Sequence, residues 1–361
     1  MRYPNRIPLL AMGIISLLSA LWGGLYRIGI KLPASGLHLA TYHGPLMISG
    51  FLGTVIGLER AVAIGKSWTY GVPILCGAAA LSLFLNLPRE FGAPLIVLAS
   101  LIFVIGYIHL FIRHAAPFIL TMGIGGILWL IGNLLWMAQT PLPRLVPWWE
   151  NFLVLTIAGE RLELARMGVL SGIGKKGFLA SVGILLAGLI FSLDYPDAGI
   201  RLNGVGLMTL SIWLFNFDIA KRTVKQKGLP RFIAVSLLLG YFWLGISGLM
   251  ATGFGESAGG YRYDATLHSL FLGFVFSMIF GHAPVIFPAI SGLALAYSSR
   301  FYLHLGLLHL SLLLRIGSDL FDSDTGRIAS GVLNALAILL FLGNTIFSLW
   351  SGRTVRNPAA G

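Results

Sequence analysis

The chain has 361 residues, 57% of them apolar and only 11% charged, with a formal net charge of +12 and a mean hydropathy of +0.85. A soluble domain carries about twice that density of charge, and no hydrophilic stretch reaches the roughly 50 residues a separate soluble domain needs. The composition thus excludes a soluble enzyme and predicts one integral membrane domain over residues 1–361. It does not mark a nucleic-acid binder, because the basic residues follow the ends of apolar segments rather than forming one patch.

An all-α polytopic bundle of about twelve spans is predicted, at residues 8–30, 38–58, 68–87, 92–112, 117–138, 147–168, 177–194, 200–220, 231–253, 264–289, 300–318 and 328–350. The first is too long for a secretory h-region and lacks a clean cleavage site, so a retained helix is expected. Arg2 and Arg6 precede it. Arg60 and Lys66 follow the second span, Arg113 the fourth and Lys175 and Lys176 the sixth. Lys221, Arg222, Lys225, Lys227 and Arg231 follow the eighth, and Arg353 and Arg356 the twelfth. This asymmetry predicts both termini on the inside of a prokaryotic cytoplasmic (inner) membrane, with lipid as the surrounding partner.

The second span carries His43 and Pro45 near its start, in an otherwise apolar run, HGPLMISGFLG. Intramembrane ionisable groups are functional candidates first; the bland reading is a hydrogen bond to a neighbouring helix. Pro45 falls in a first turn, where it forfeits no helical hydrogen bond. Cys76, alone in the third span, supports no internal disulfide, Cys metal cluster or c-type haem attachment. His109 and His114 end the fourth span. The sixth is the weakest, because AGERLELARMG (Ala158–Gly168) places Glu160, Arg161, Glu163 and Arg166 within two turns. An ion-paired helix end at the inner interface is expected there, with a carboxylate metal site or proton relay as the functional alternative. Asp218, near the inner end of the eighth span, is expected to pair with Lys221 or Arg222. The tenth span starts with Asp264 and His268 and ends near His282. The eleventh carries His304, His309, Arg315 and Asp319.

His43 and His268 fall about five and four residues into two spans that start at the outer face. At 1.5 Å per residue this predicts a common depth of roughly 6–8 Å below the outer boundary. Two imidazoles at one depth suit the axial positions of a six-coordinate haem iron, and Met47 leaves a Met/His pairing open. His282 stands about 21 Å along the helix from His268 and cannot share its iron. The inner-side histidines are expected to be structural, with a metal site or proton path on that side as the alternative. Arg262 and Arg315 lie near the outer leaflet, where anionic haem propionates point toward water and arginine can bind them bidentately. Asp319, one turn on, is the alternative partner of Arg315.

TYHGPLMISGF (Thr41–Phe51) resembles the second transmembrane helix of the haem–copper oxidase subunit I superfamily. HSLFLGFVFSMIFGHAPVIFPAISG (His268–Gly292) resembles its tenth, including the ending Phe287, Pro288, Ser291 and Gly292. RIGSD (Arg315–Asp319) is similar to the segment whose arginine pairs with haem propionates. The resemblance implies a haem–copper oxidase subunit I-like bundle with His43 and His268 as axial ligands of a low-spin haem b near the outer face. Oxygen-reducing members carry a second histidine two residues before the tenth-helix ligand and three copper-binding histidines on helices six and seven. Here Thr266 holds the first position, and no histidine lies between His114 and His268. A conventional terminal oxidase is not expected. The missing ligands and the short chain are similar to the NnrS branch of twelve-helix haem proteins associated with nitric oxide stress. That branch usually shows two histidines around the second-helix motif, where this chain has His43 and Pro45.

The resemblance implies electron transfer or nitric oxide handling. It implies haem b as cofactor, one group with a second left open, and leaves copper open. The implied partners are an electron-donor protein or quinol and a small gas ligand such as nitric oxide. Two other functions stay open at this point. One is a gas-reducing oxidoreductase with a non-standard second metal site. The other is a membrane transporter without haem, whose histidines bind substrate or protons.

Overall fold

The computed structural model describes residues 6–33, 36–165 and 170–356, so Arg2 and Arg166 lie outside the described residues. Among those described, twelve long helices follow one another with no strand. They are α1 (Ile7–Arg27), α2 (His43–Ile64), α3 (Ser67–Phe84), α4 (Arg89–Arg113), α5 (Pro117–Met137), α6 (Leu142–Ala165), α7 (Gly172–Phe191), α8 (Pro196–Phe217), α9 (Leu229–Phe254), α10 (Gly260–Ser291), α11 (Phe301–Leu320) and α12 (Asp324–Arg356). A short helix, Gly36–Thr41, precedes α2.

Eleven of the twelve, all but α6, are long and apolar enough to cross a membrane. The protein is an all-α, multi-pass membrane protein. Helix α6 covers residues 147–165 of the sixth predicted span. Its 24 residues reach about 36 Å, but it carries Arg144, Glu150, Glu160, Arg161 and Glu163. Helix α4 shows why a membrane is the right solvent for the others. Leu98, Leu101, Ile105, Ile108 and Ile112 recur every three or four residues and are all exposed, while Ile96, Ala99, Phe103 and Tyr107 are buried. A helix apolar on both faces is stable only if the outer face meets lipid.

By contact the helices form two compact units. The first comprises Met1–Phe152 with Ile286–Leu293. Within it α1 packs on α2 and α3, and α4 packs on α3 and α5. Leu9, Leu58, Ala61, Tyr70 and Ile290 form a buried apolar cluster there. The second unit comprises Leu153–Val285 with Ala294–Gly361. Within it α8 packs on α7 and α9, α9 on the middle of α10, and α11 on α10 and α12. Close approach replaces the hydrophobic drive that lipid removes. A Cβ on Gly204 of α8 would stand 2.7 Å from the Gly248 carbonyl oxygen of α9, and one on Gly248 would stand 2.7 Å from that of Gly204. Only glycine at both positions lets the two backbones touch.

Most boundaries agree with the hydropathy reading to within several residues, but one that matters for the histidines moves. The chain turns at Tyr42 (φ −100°, ψ 12°), so α2 begins at His43 itself. Helix α10 begins at Gly260, eight positions before His268. The two histidines therefore do not share the helical register from which equal depth was expected. Hydropathy averages over a window and cannot see a one-residue turn inside an apolar stretch.

Candidate functional site

Neither α2 nor α10 is α-helical throughout. Leu46–Leu52 of α2 and Ser269–Phe276 of α10 are π-helical, and among the described residues these are the two such runs. A π-turn is wider than an α-turn, re-aims the side chains beyond it and recurs at functional sites. Each run follows one of the two histidines singled out above. His43 lies three positions before the first, and His268 immediately before the second.

In the first unit, His43 is seated on α1. Its Nδ1 lies 2.7 Å from the carbonyl oxygen of Ala20. A carbonyl only accepts, so Nδ1 carries the proton and Nε2 is the lone-pair nitrogen of the neutral ring. One turn along α1, Gly24 makes room for the ring. A Cβ there would stand 2.9 Å from His43 Cε1 and 3.1 Å from Nδ1. The π-run behind His43 is fastened from two sides. Ser16 of α1 donates to the Leu46 carbonyl at 2.8 Å. Ser49 donates to Asn133 Oδ1 at 3.1 Å and accepts from Trp129 Nε1 at 3.1 Å, while Trp149 Nε1 donates to the same Asn133 oxygen at 2.9 Å. Trp129 stacks on Phe152 with centroids 4.9 Å apart.

In the second unit, His268 has the same tautomer for the same reason. Its Nδ1 lies 2.9 Å from the Asp264 carbonyl oxygen and 3.3 Å from the Asp264 carboxylate. That carboxylate is held in turn. Arg315 of α11 donates to Asp264 Oδ2 through Nε at 2.9 Å and Nη2 at 2.7 Å. Arg327 of α12 lies 3.3 Å from Oδ1 and 3.5 Å from an oxygen of Asp319. Arg315 thus closes on Asp264 rather than on Asp319. A propionate partner for it was expected because an unpaired buried guanidinium is expensive; Asp264 already supplies that compensation. Arg262 is exposed and lies over the Phe254 ring, 5.3 Å from its centroid. The sequence shows the Asp264–His268 spacing of one turn, but nothing in it points to Arg327, which a different helix delivers.

The remaining histidines are occupied differently. His282 Nδ1 faces the Met278 carbonyl at 2.6 Å, and its Nε2 takes a hydrogen bond from Arg161 at 2.8 Å. His309 Nδ1 accepts from Trp243 Nε1 at 2.8 Å, which leaves the proton on Nε2, 3.4 Å from Ser277 Oγ. His304 Nδ1 accepts from Asn344 at 3.1 Å, and its ring sits among Phe280, Phe301 and Phe341. His109 packs edge-on against Trp68.

Within the charged end of α6, Arg161 does not reach out as an anchor. Arg161 is 4% exposed and turned onto His282. Asp218 is 3% exposed and accepts the Ala220 amide at 2.7 Å, capping the turn after α8. Burial raises its carboxyl above the usual range, and the Arg161 guanidinium opposes that rise. Its side chain turns inward because capping its own loop satisfies an amide that would otherwise be buried alone. Among the described residues, no group of three His, Cys, Asp or Glu side chains converges as a metal site.

Among curated proteins no relative matches the chain. A family model described as Domain of unknown function (DUF8744) matches residues 6–350, nearly the full length. The chain belongs to that family.

Proposed function

We propose that the protein is a membrane haem b protein of a prokaryotic cytoplasmic membrane, with His43 and His268 as the axial imidazoles, acting in electron transfer or nitric oxide handling. One observation carries the reading. These two fix Nδ1–H on a carbonyl, as His282 also does, and of the three only they closely precede a π-helical run. A histidine that ligates a metal through Nε2 characteristically donates its other nitrogen in this way. In oxidase subunit I-like proteins, which the motifs around these residues resemble, the matching two positions hold the axial ligands of the low-spin haem; NnrS-like proteins usually carry a second histidine where this chain has Pro45.

Haem b bound there supplies one-electron redox chemistry. The chain's own residues set the conditions for it. Ala20 and Gly24 orient the His43 ring, and Asp264 orients His268 and raises its basicity. Arg315 and Arg327 compensate the Asp264 charge, so the ligand is tuned without leaving a bare anion. Electrons would come from a donor protein or a quinol.

A reduced-minus-oxidised optical spectrum of protein expressed with ample haem tests the reading. A six-coordinate b-type spectrum is expected, lost in His43→Ala and in His268→Ala and retained in His282→Ala and His309→Ala. Absence of haem absorption, or a wild-type spectrum in either ligand variant, overturns it. Nitric oxide binding by the reduced protein, with or without turnover, separates a gas-handling role from pure electron transfer.

A further inference from the structure

The stretch 221–231, between α8 and the first turn of α9, is the most basic part of the chain. It holds Lys221, Arg222, Lys225, Lys227 and Arg231, and no Asp or Glu occurs between Asp218 and Glu256. In the second unit it borders a cavity of about 550 Å³ lined by Lys227, Gly228, Arg231, Val235, Tyr297 and Tyr302. That volume is in the range of small-ligand sites.

Four features of this cavity point the same way. Two cationic side chains, Lys227 and Arg231, lie on its wall, and no carboxylate does. Gly228 is the N-cap of the 26-residue α9 and offers no side-chain cap, so the positive end of a long helix opens there. The Tyr297 phenol, on the connection before α11, is raised above its usual range by burial and by the neighbouring Tyr302, with Arg231 opposing. A phenol is a hydroxyl donor at neutral pH with or without that rise. Finally the wall is anchored: Phe232 is fully buried, packs edge-on against Tyr302 with centroids 5.3 Å apart, and lies tilted against Tyr297 at 6.0 Å. A site rich in cations and donors, and lined by no carboxylate, is complementary to a compact anion with several acceptor oxygens.

We propose that this cavity is a binding site for an anionic phosphate group, the chemistry shared by an anionic phospholipid headgroup and a free phosphate. None of its lining residues is a histidine, and the proposal does not rest on haem binding. Basic pockets between helices on the inner side of a membrane are suited to lipid phosphates, and the charge asymmetry of the chain assigns this loop to that side.

Full-length protein in nanodiscs tests the proposal in two arms. One arm titrates phosphatidylglycerol into phosphatidylcholine discs, and the other titrates inorganic phosphate into pure phosphatidylcholine discs; thermal melting reads both. Saturable stabilisation in the first arm identifies a lipid headgroup, and in the second a soluble phosphate. In either case the double variant K227Q/R231Q should bind about 30-fold more weakly, at roughly fivefold per cation. K221Q/K225Q removes the same net charge outside the cavity lining and should bind within about twofold of wild type. Lys221, Lys225, Lys227 and Arg231 are all exposed, so neither variant threatens the fold. No saturation in either arm, or equal weakening by both double variants, overturns the proposal.

Discussion

Asp264→Asn should be among the most damaging conservative changes in the chain, and its cost follows from charge counting. The Asp264 side chain is 14% exposed and Arg315 7%. Two carboxylates, Asp264 and Asp319, face two guanidiniums, Arg315 and Arg327, with the His268 ring alongside. Asparagine keeps the shape but leaves the buried Arg315 and the partly exposed Arg327 against one remaining carboxylate, Asp319. Removing one member of a buried pair typically costs about 3–5 kcal/mol, because the partner's desolvation is no longer offset. Arg315→Leu unbalances the same group in the opposite sense and should cost a similar amount. The double variant D264N/R315L restores the balance and leaves Arg327 with Asp319. Its cost should fall short of the sum of the single variants by at least about 2 kcal/mol. Reversible unfolding of the purified protein in mixed micelles, with increasing denaturing detergent, measures all three. A single-variant cost below about 1 kcal/mol, or strict additivity, would show that the four charges do not act as a unit.

In haem-loaded protein the two single variants should shift the midpoint potential in opposite directions. Asp264→Asn removes an anion that favours the oxidised iron, so the potential rises. Arg315→Leu bares that anion, so it falls. Each shift should be about 50–100 mV for a differential interaction of about 1–2 kcal/mol, and redox titration showing shifts of one sign would refute the assignment of Asp264 to the ligand shell. Gly24→Ala places a methyl 2.9 Å from His43 Cε1 and must displace the ring from Ala20; haem content should drop, whereas Gly44→Ala, whose Cβ meets nothing within 4 Å, should keep it. Wild-type haem content in Gly24→Ala would mean that α1 does not seat the histidine.

Periodicity and composition alone determined the fold class, since a chain that is 57% apolar with 11% charge cannot hide its helices from lipid. They also picked out His43 and His268, because an imidazole in an apolar run is conspicuous, and they placed Asp264 one turn from His268 by simple helical spacing. What they could not supply is anything that depends on which helix lies beside which. Arg315 has Asp319 at the right spacing on its own helix, yet it reaches across to Asp264, because a guanidinium takes the partner that best satisfies its donors. The unlike tautomers of His268 and His309, the room left by Gly24 and the arrival of Arg327 all come from neighbouring helices or the local turn. The π-runs were equally hidden. Their residues are ordinary apolar helix formers, and the wide turn is set by packing and by bonds such as Ser16 to the Leu46 carbonyl, which no one-dimensional pattern records. Hydropathy reports the cost of leaving water for lipid, a property of each segment alone; hydrogen-bond direction and charge pairing belong to pairs of segments, and only the folded chain brings those pairs together.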